Sequence, residues 1–123
     1  MSLVTSAQPI AGGPRIISTL AGDSRFHAIV GQFVLRLPKA VAAADLARQQ
    51  GDYGELARFT HWLAGTGGSM GFDVLTESAR QLERLVKAGD SDRIETAFSE
   101  LKALASRVVA PGPGEAAGQL PAQ

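Results

Sequence analysis

The chain has 123 residues, no cysteine, and 12 acidic against 12 basic side chains, so its formal charge is zero. That length suits a single domain, and the lack of cysteine removes disulfides and thiolate chemistry, which fits a cytoplasmic protein. No basic stripe with interleaved aromatics points to nucleic acid. No apolar run reaches the ~18 residues of a bilayer span, and the N-terminus lacks a signal-peptide layout, so no direct membrane contact is expected.

Residues 1–22 open as a loop, because Pro9, Gly12, Gly13 and Pro14 break regular structure. Ile16, Ile17 and Leu20 follow, either as a short arm packed on the rest or as part of a flexible tail. Asp23 or Ser24 can cap a helix. Phe26, Ile29, Val30, Phe33, Val34 and Leu37 then repeat at helical spacing until Pro38 interrupts them. A proline inside a helix removes a hydrogen bond and crowds the preceding turn, but is tolerated in a first turn. The pattern therefore predicts two helices, 24–36 and 38–50, or one kinked helix. In the second segment Val41, Ala44 (or Asp45) and Ala47 (or Arg48) keep core-like spacing, with Leu46 beside them, and Gly51 ends it.

Asp52 followed by Glu55 is an acidic variant of the capping box. In the helix it opens, Leu56, Phe59 and Leu63 share a face at ~100° per residue. His61 lies at roughly 140° from Leu56, nearly opposite that stripe. Its neighbours one turn away are Ala57, Arg58, Ala64 and Gly65, three of them small. Gly65, Gly67, Gly68 and Gly71 follow, each costing a helix roughly 1 kcal/mol relative to alanine. Such a run suits close approach or a turn, so the helix is expected to pass Gly65 and turn near Gly71.

Phe72 or Asp73 opens the next helix, with Leu75, Ala79, Leu82, Leu85 and Val86 as its buried stripe. Thr76, Glu77, Arg80, Glu83, Arg84 and Lys87 fall on its flanks and outer face, and Gly89 closes it. Asp90 or Ser91 caps the last helix, whose core face runs through Ile94, Ala97, Phe98, Leu101, Leu104, Ala105 and Val108. Pro111 and Pro113 end it, and residues 110–123, rich in Ala, Gly, Pro and Gln, are expected to be disordered. Four amphipathic segments with short connections give an all-α antiparallel bundle spanning residues 23–109.

The run His61-Trp62-Leu63-Ala64-Gly65, with Gly67, Gly68, Gly71 and Phe72 after it, closely resembles the histidine-containing phosphotransfer (HPt) domain of bacterial phosphorelays. The family's motif is His-x-Leu-Lys-Gly with a further glycine six residues on. Here it reads His61, Leu63, Ala64 in place of lysine, Gly65 and Gly71. The likeness extends from about residue 23 to 109, and this branch often sits on hybrid sensor kinases. It implies a four-helix bundle with an additional N-terminal helix or arm. It also implies a phosphorelay intermediate: His61 accepts a phosphoryl group from a receiver-domain aspartate and passes it to another, as a carrier more than an enzyme. The partners would be response-regulator receiver domains. The carrier would need no cofactor of its own, Mg²⁺ being expected in the receiver.

The chemistry fits the residue type, since a neutral imidazole with an ordinary pKa near 6.5 keeps a nucleophilic lone pair at pH 7. The plain alternative is an exposed histidine with no role. Ala64 removes a cation that relatives place near the phosphohistidine. Arg58, one turn before His61, can partly substitute or be a solvated helix residue. Gly65 and Gly68 either admit a receiver loop or let helices pack, with Gly65 assigned to the site and Gly71 to the turn. Arg58, Ala64, Gly65 and Gly68 are thus the candidate docking residues, while Trp62 is read as packing at the bundle edge. A second class of function is a docking or scaffolding module whose transfer is impaired by Ala64. His27 is read as a surface residue, and two distant histidines without cysteine argue against a catalytic metal. No glycine-rich run follows a predicted strand, so no nucleotide site is expected. The chain lacks room for an ATP-binding domain beside the bundle. It is expected to be a module of a hybrid kinase or a free-standing carrier, and a monomer.

Overall fold

The computed structural model describes residues 13–111, and the segments 1–12 and 112–123 lie outside it. Pro9, Gly12 and most of the tail expected to be disordered fall in those outer segments. Four helices carry the fold: α1 (His27–Gln49), α2 (Tyr53–Ser69), α3 (Asp73–Ala88) and α4 (Ser91–Ser106). Connections of two or three residues force successive helices to run antiparallel. Side-chain pairs confirm the direction: on α2 and α3, His61 faces Glu83 while Gly68 faces Thr76. On α1 and α4, Asp45 meets Lys102 while Arg48 meets Glu95. No helix among the described residues is long and apolar enough to cross a membrane.

Pro38 lies inside α1 and does not split it. The ring removes one helical N–H and its hydrogen bond. Val30, Phe33, Leu37, Val41, Ala44 and Ala47 stay buried along one stripe on both sides of the proline, and that continuous burial holds the two expected segments as one helix. Ile29 and Leu46, placed near the core by spacing, are about half exposed on the outer flank. Asp52 accepts from the Glu55 backbone N–H and starts α2, but the Glu55 side chain turns to Arg58 instead of completing the box. Asp90 caps α4 through the Arg93 N–H, and Gly89 ends α3 in the left-handed conformation. The core gathers Val30 and Leu37 from α1, Leu56 and Leu63 from α2, Leu75 and Leu82 from α3, and Ile94 and Leu101 from α4. Phe72, between α2 and α3, stacks on Phe33 at 5.8 Å.

Among the described residues, what precedes α1 is an arm, with no additional helix beyond a single 3-10 turn at Ser24–Phe26 capped by Asp23. A strand β1 (Ile16–Ile17) pairs in parallel with β2 (Val108–Val109), Ile16 opposite Val108, so the chain just before the bundle is tied to the chain just after it. Arg107 strengthens this tie by donating from Nε to the Pro14 carbonyl at 2.8 Å. The arm also closes over the α2–α3 turn. Ser18, 3% exposed, donates from Oγ to the Met70 carbonyl at 2.6 Å, and the Thr19 N–H reaches the Gly71 carbonyl at 3.0 Å. Gly71 has φ +87°, and a Cβ there would collide with Ser18 Oγ and Thr19. This glycine serves both the turn and the seat of the arm.

Candidate functional site

The buried side of α2 is Leu56, Thr60, Leu63, Ala64 and Gly67. Relative to the stripe expected from Leu56, Phe59 and Leu63, it is rotated toward α3. Phe59 is only partly buried, whereas Thr60 is fully buried and donates from its hydroxyl to the Ala57 carbonyl. His61 points away from the core and is 84% exposed at its side chain. Its Nδ1 faces Oε2 of Glu83 on α3 at 3.6 Å. That is longer than a hydrogen bond, and a sub-ångström shift of either side chain would make one. With the proton on Nδ1 directed at the carboxylate, the lone pair resides on Nε2. Glu83 is only 19% exposed, so it is the more fixed member of the pair. The same Oε2 is approached at 3.6 Å by Nζ of Lys87, one turn further along α3.

Arg58 is exposed on the same helix as His61, as its position required, but its guanidinium is taken. It donates to Glu55 Oε1 from Nη2 at 2.6 Å and from Nε at 3.2 Å, and this hydrogen bonding raises its pKa above the ordinary arginine value. Ala64 is not on the open surface that the helical wheel gave it. It is 8% exposed, because α3 packs over that side of α2, and its carbonyl accepts from the Thr76 hydroxyl at 2.7 Å. The two docking glycines separate cleanly. A Cβ on Gly65 would meet nothing within 4 Å, so the fold does not require glycine there and the surface beside His61 is left low. A Cβ on Gly68 would come within 3.0 Å of Thr76 Oγ1, and one on Gly67 within 3.2 Å of Leu75 Cβ. Those two let α3 approach closely, which sets the reach from Glu83 to His61.

Trp62 packs as expected at the bundle edge, its ring 5.8 Å from Phe33 and 6.2 Å from Phe59. The Arg36 guanidinium lies 5.1 Å over it, a cation–π arrangement. A shallow groove lined by Ala40, Ala43, Phe59 and Trp62 runs along the seam between α1 and α2.

A family model described as Hpt domain matches residues 28–111. The chain belongs to the Hpt domain family. No curated protein and no solved structure matched the chain. Membership makes this a domain of phosphorelay signalling, a family of phosphohistidine carriers that interact with receiver domains. The match begins at the second residue of α1 and ends beyond β2, so it covers the four helices of this Hpt domain but for His27.

His27 corrects a further expectation. It is half-buried at the start of α1, with Nε2 2.7 Å from the Ala21 carbonyl, and so fastens the arm to the bundle. Glu83 and Lys87 are the site residues that sequence reasoning left among the solvated flanks of α3. The available signal was their helical phase. They share a face with Thr76, the residue that packs on Gly68.

Proposed function

We propose that His61 is the phosphoryl carrier of this Hpt domain, taking the group from the aspartate of one receiver domain and giving it to that of another. The observation that carries the reading is the exposed imidazole with its Nδ1 side turned to a carboxylate and Nε2 left without a partner among the described residues. In the forward step the Nε2 lone pair attacks phosphorus and forms the N–P bond. The P–O bond to the aspartate breaks, and its electron pair remains on the carboxylate. The Nδ1–H stays on the ring, oriented by Glu83, which disperses the positive charge developing on the imidazole. The second transfer reverses the step. Positioning and electrostatics supply the catalysis. The acidic pocket and Mg²⁺ are assigned to the receiver, so the carrier's part is to present a rigid, accessible nucleophile. Gly65 gives the receiver room to come close.

The test is phosphotransfer from a panel of phosphorylated receiver domains, with His61→Gln as control. Acid-labile label that appears on the wild type and vanishes in the mutant is the expected result. Receiver binding without label would replace this reading with the docking module. That alternative draws its support from Ala64, which offers no charge.

A further inference from the structure

A phosphoryl group on His61 brings about two negative charges next to Glu83, which already carries one. Position 64 offers nothing to offset them, because Ala64 is a buried methyl at the α2–α3 seam. We infer that Lys87 on α3 supplies the positive charge for the phosphorylated His61, in place of any cation on α2. This rests on His61 being the acceptor.

The neighbouring cations divide by what already holds them. Arg58 is bound twice to Glu55. Arg36 lies over the Trp62 ring. Arg84 lines a groove between α3 and α4 together with Glu77 and Glu100, and Arg80, one turn before Glu83, lines the same groove and makes no contact with the Glu83 carboxylate. Lys87 shares a carboxylate oxygen with His61, both contacts measuring 3.6 Å. Its ammonium therefore lies within about 7 Å of Nδ1, inside the Debye length of about 8 Å at physiological ionic strength. The lysine is 71% exposed, so its four-carbon stem can swing from Glu83 toward the new charge.

Before transfer, Lys87 balances the Glu83 carboxylate and keeps it a ready acceptor for the Nδ1 proton. After transfer, it faces both Glu83 and the phosphoryl oxygens. During transfer it neither gives nor takes a proton. The bonds exchanged are those between phosphorus, Nε2 and the aspartate oxygen, and the part of Lys87 is electrostatic. The same ammonium would also face the acidic pocket of a docked receiver, which makes its contribution salt-dependent.

The experiment uses the full chain and receivers charged with acetyl phosphate. Single-turnover transfer rates are compared for wild type, Lys87→Ala, Lys87→Arg and Lys87→Glu at low and high salt, with urea unfolding as a check on folding. Lys87→Ala is expected to slow transfer about fivefold, the size of one exposed charge interaction. Lys87→Glu should be slower still, Lys87→Arg close to wild type, and the salt dependence of Lys87→Ala flatter. Because the side chain is exposed, the urea midpoints should not move. A Lys87→Ala rate and salt slope equal to wild type would overturn the inference, as would a Lys87→Arg rate as low as that of Lys87→Ala. If no receiver labels the wild type, the carrier role of His61 and this inference fall together.

Discussion

The two histidines of the molecule sit in opposite circumstances. His61 stands 84% exposed in the middle of a helix, with Nδ1 turned to a carboxylate and Nε2 without a partner among the described residues. His27 is half-buried at the start of α1, and its Nε2 is committed to the Ala21 carbonyl at 2.7 Å. An imidazole is a nucleophile or a staple according to which nitrogen the fold occupies. Around His61 the fold sets a carboxylate 3.6 Å from Nδ1 and leaves Nε2 open, the arrangement that the proposed carrier role calls for. Around His27 it uses the same Nε2 to tie down a loop.

The largest effect should come from exchanging these fates by mutation. His61→Gln is expected to abolish labelling by any receiver, a loss of more than about 100-fold. His27→Gln should label normally and lose stability by about 1 kcal/mol, the worth of one hydrogen bond. Urea unfolding and a transfer assay on the same pair of variants separate the two roles. A second contrast lies in the glycines. Gly71→Ala forces a side chain into the left-handed region against Ser18 and Thr19, and should cost about 2–4 kcal/mol in unfolding free energy. Gly65→Ala should raise the urea midpoint, with a gain of up to about 1 kcal/mol from helix propensity, and a bulkier Gly65→Leu should slow transfer by obstructing the receiver. Equal losses of stability at the two positions would remove the distinction.

Glu83→Gln probes the orientation of His61 more finely. The amide can still accept from Nδ1 but disperses no charge, so transfer should slow about fivefold to tenfold without loss of fold. The smallest effect belongs to the α1–α4 seam. There the Asp45 carboxyl is held below the usual carboxylate range, chiefly by its hydrogen bond from Arg48, with Lys102 adding to the shift and burial opposing it. A folded-state pKa below the unfolded value near 3.9 gives stability that is present above about pH 4. That stability is lost as the pH falls through the folded value. Asp45→Asn should therefore flatten the fall of the urea midpoint in that acid window, while transfer at neutral pH is unchanged.

Much of this was legible from spacing alone. The apolar repeats placed all four helices, Asp52 and Asp90 marked two starts, and His61 stood out because it opposed its own apolar stripe. The misreadings share one cause, that a single helix does not reveal which neighbour covers it. The wheel through Leu56, Phe59 and Leu63 put Ala64 on an open surface, yet α3 packs over Thr60, Ala64 and Gly67. The carboxylate that faces His61 comes from α3, 22 positions away, where Glu83 and its neighbour Lys87 read as ordinary charged flank residues. Pro38 suggested a break that burial on both sides of it overrides. A strand pairing of two residues carries no periodicity at all, so the tie between Ile16 and Val108 could not be seen before the ends of the bundle were brought together.

The most direct test of the account is which nitrogen carries the phosphoryl group. The domain, labelled with ¹⁵N at histidine, would be phosphorylated by a receiver and examined by two-dimensional ¹H–¹⁵N NMR of the imidazoles. The account predicts phosphorus on Nε2 of His61, a proton retained on Nδ1, and an unchanged His27. Phosphorus on Nδ1 of His61, or on His27, would contradict it.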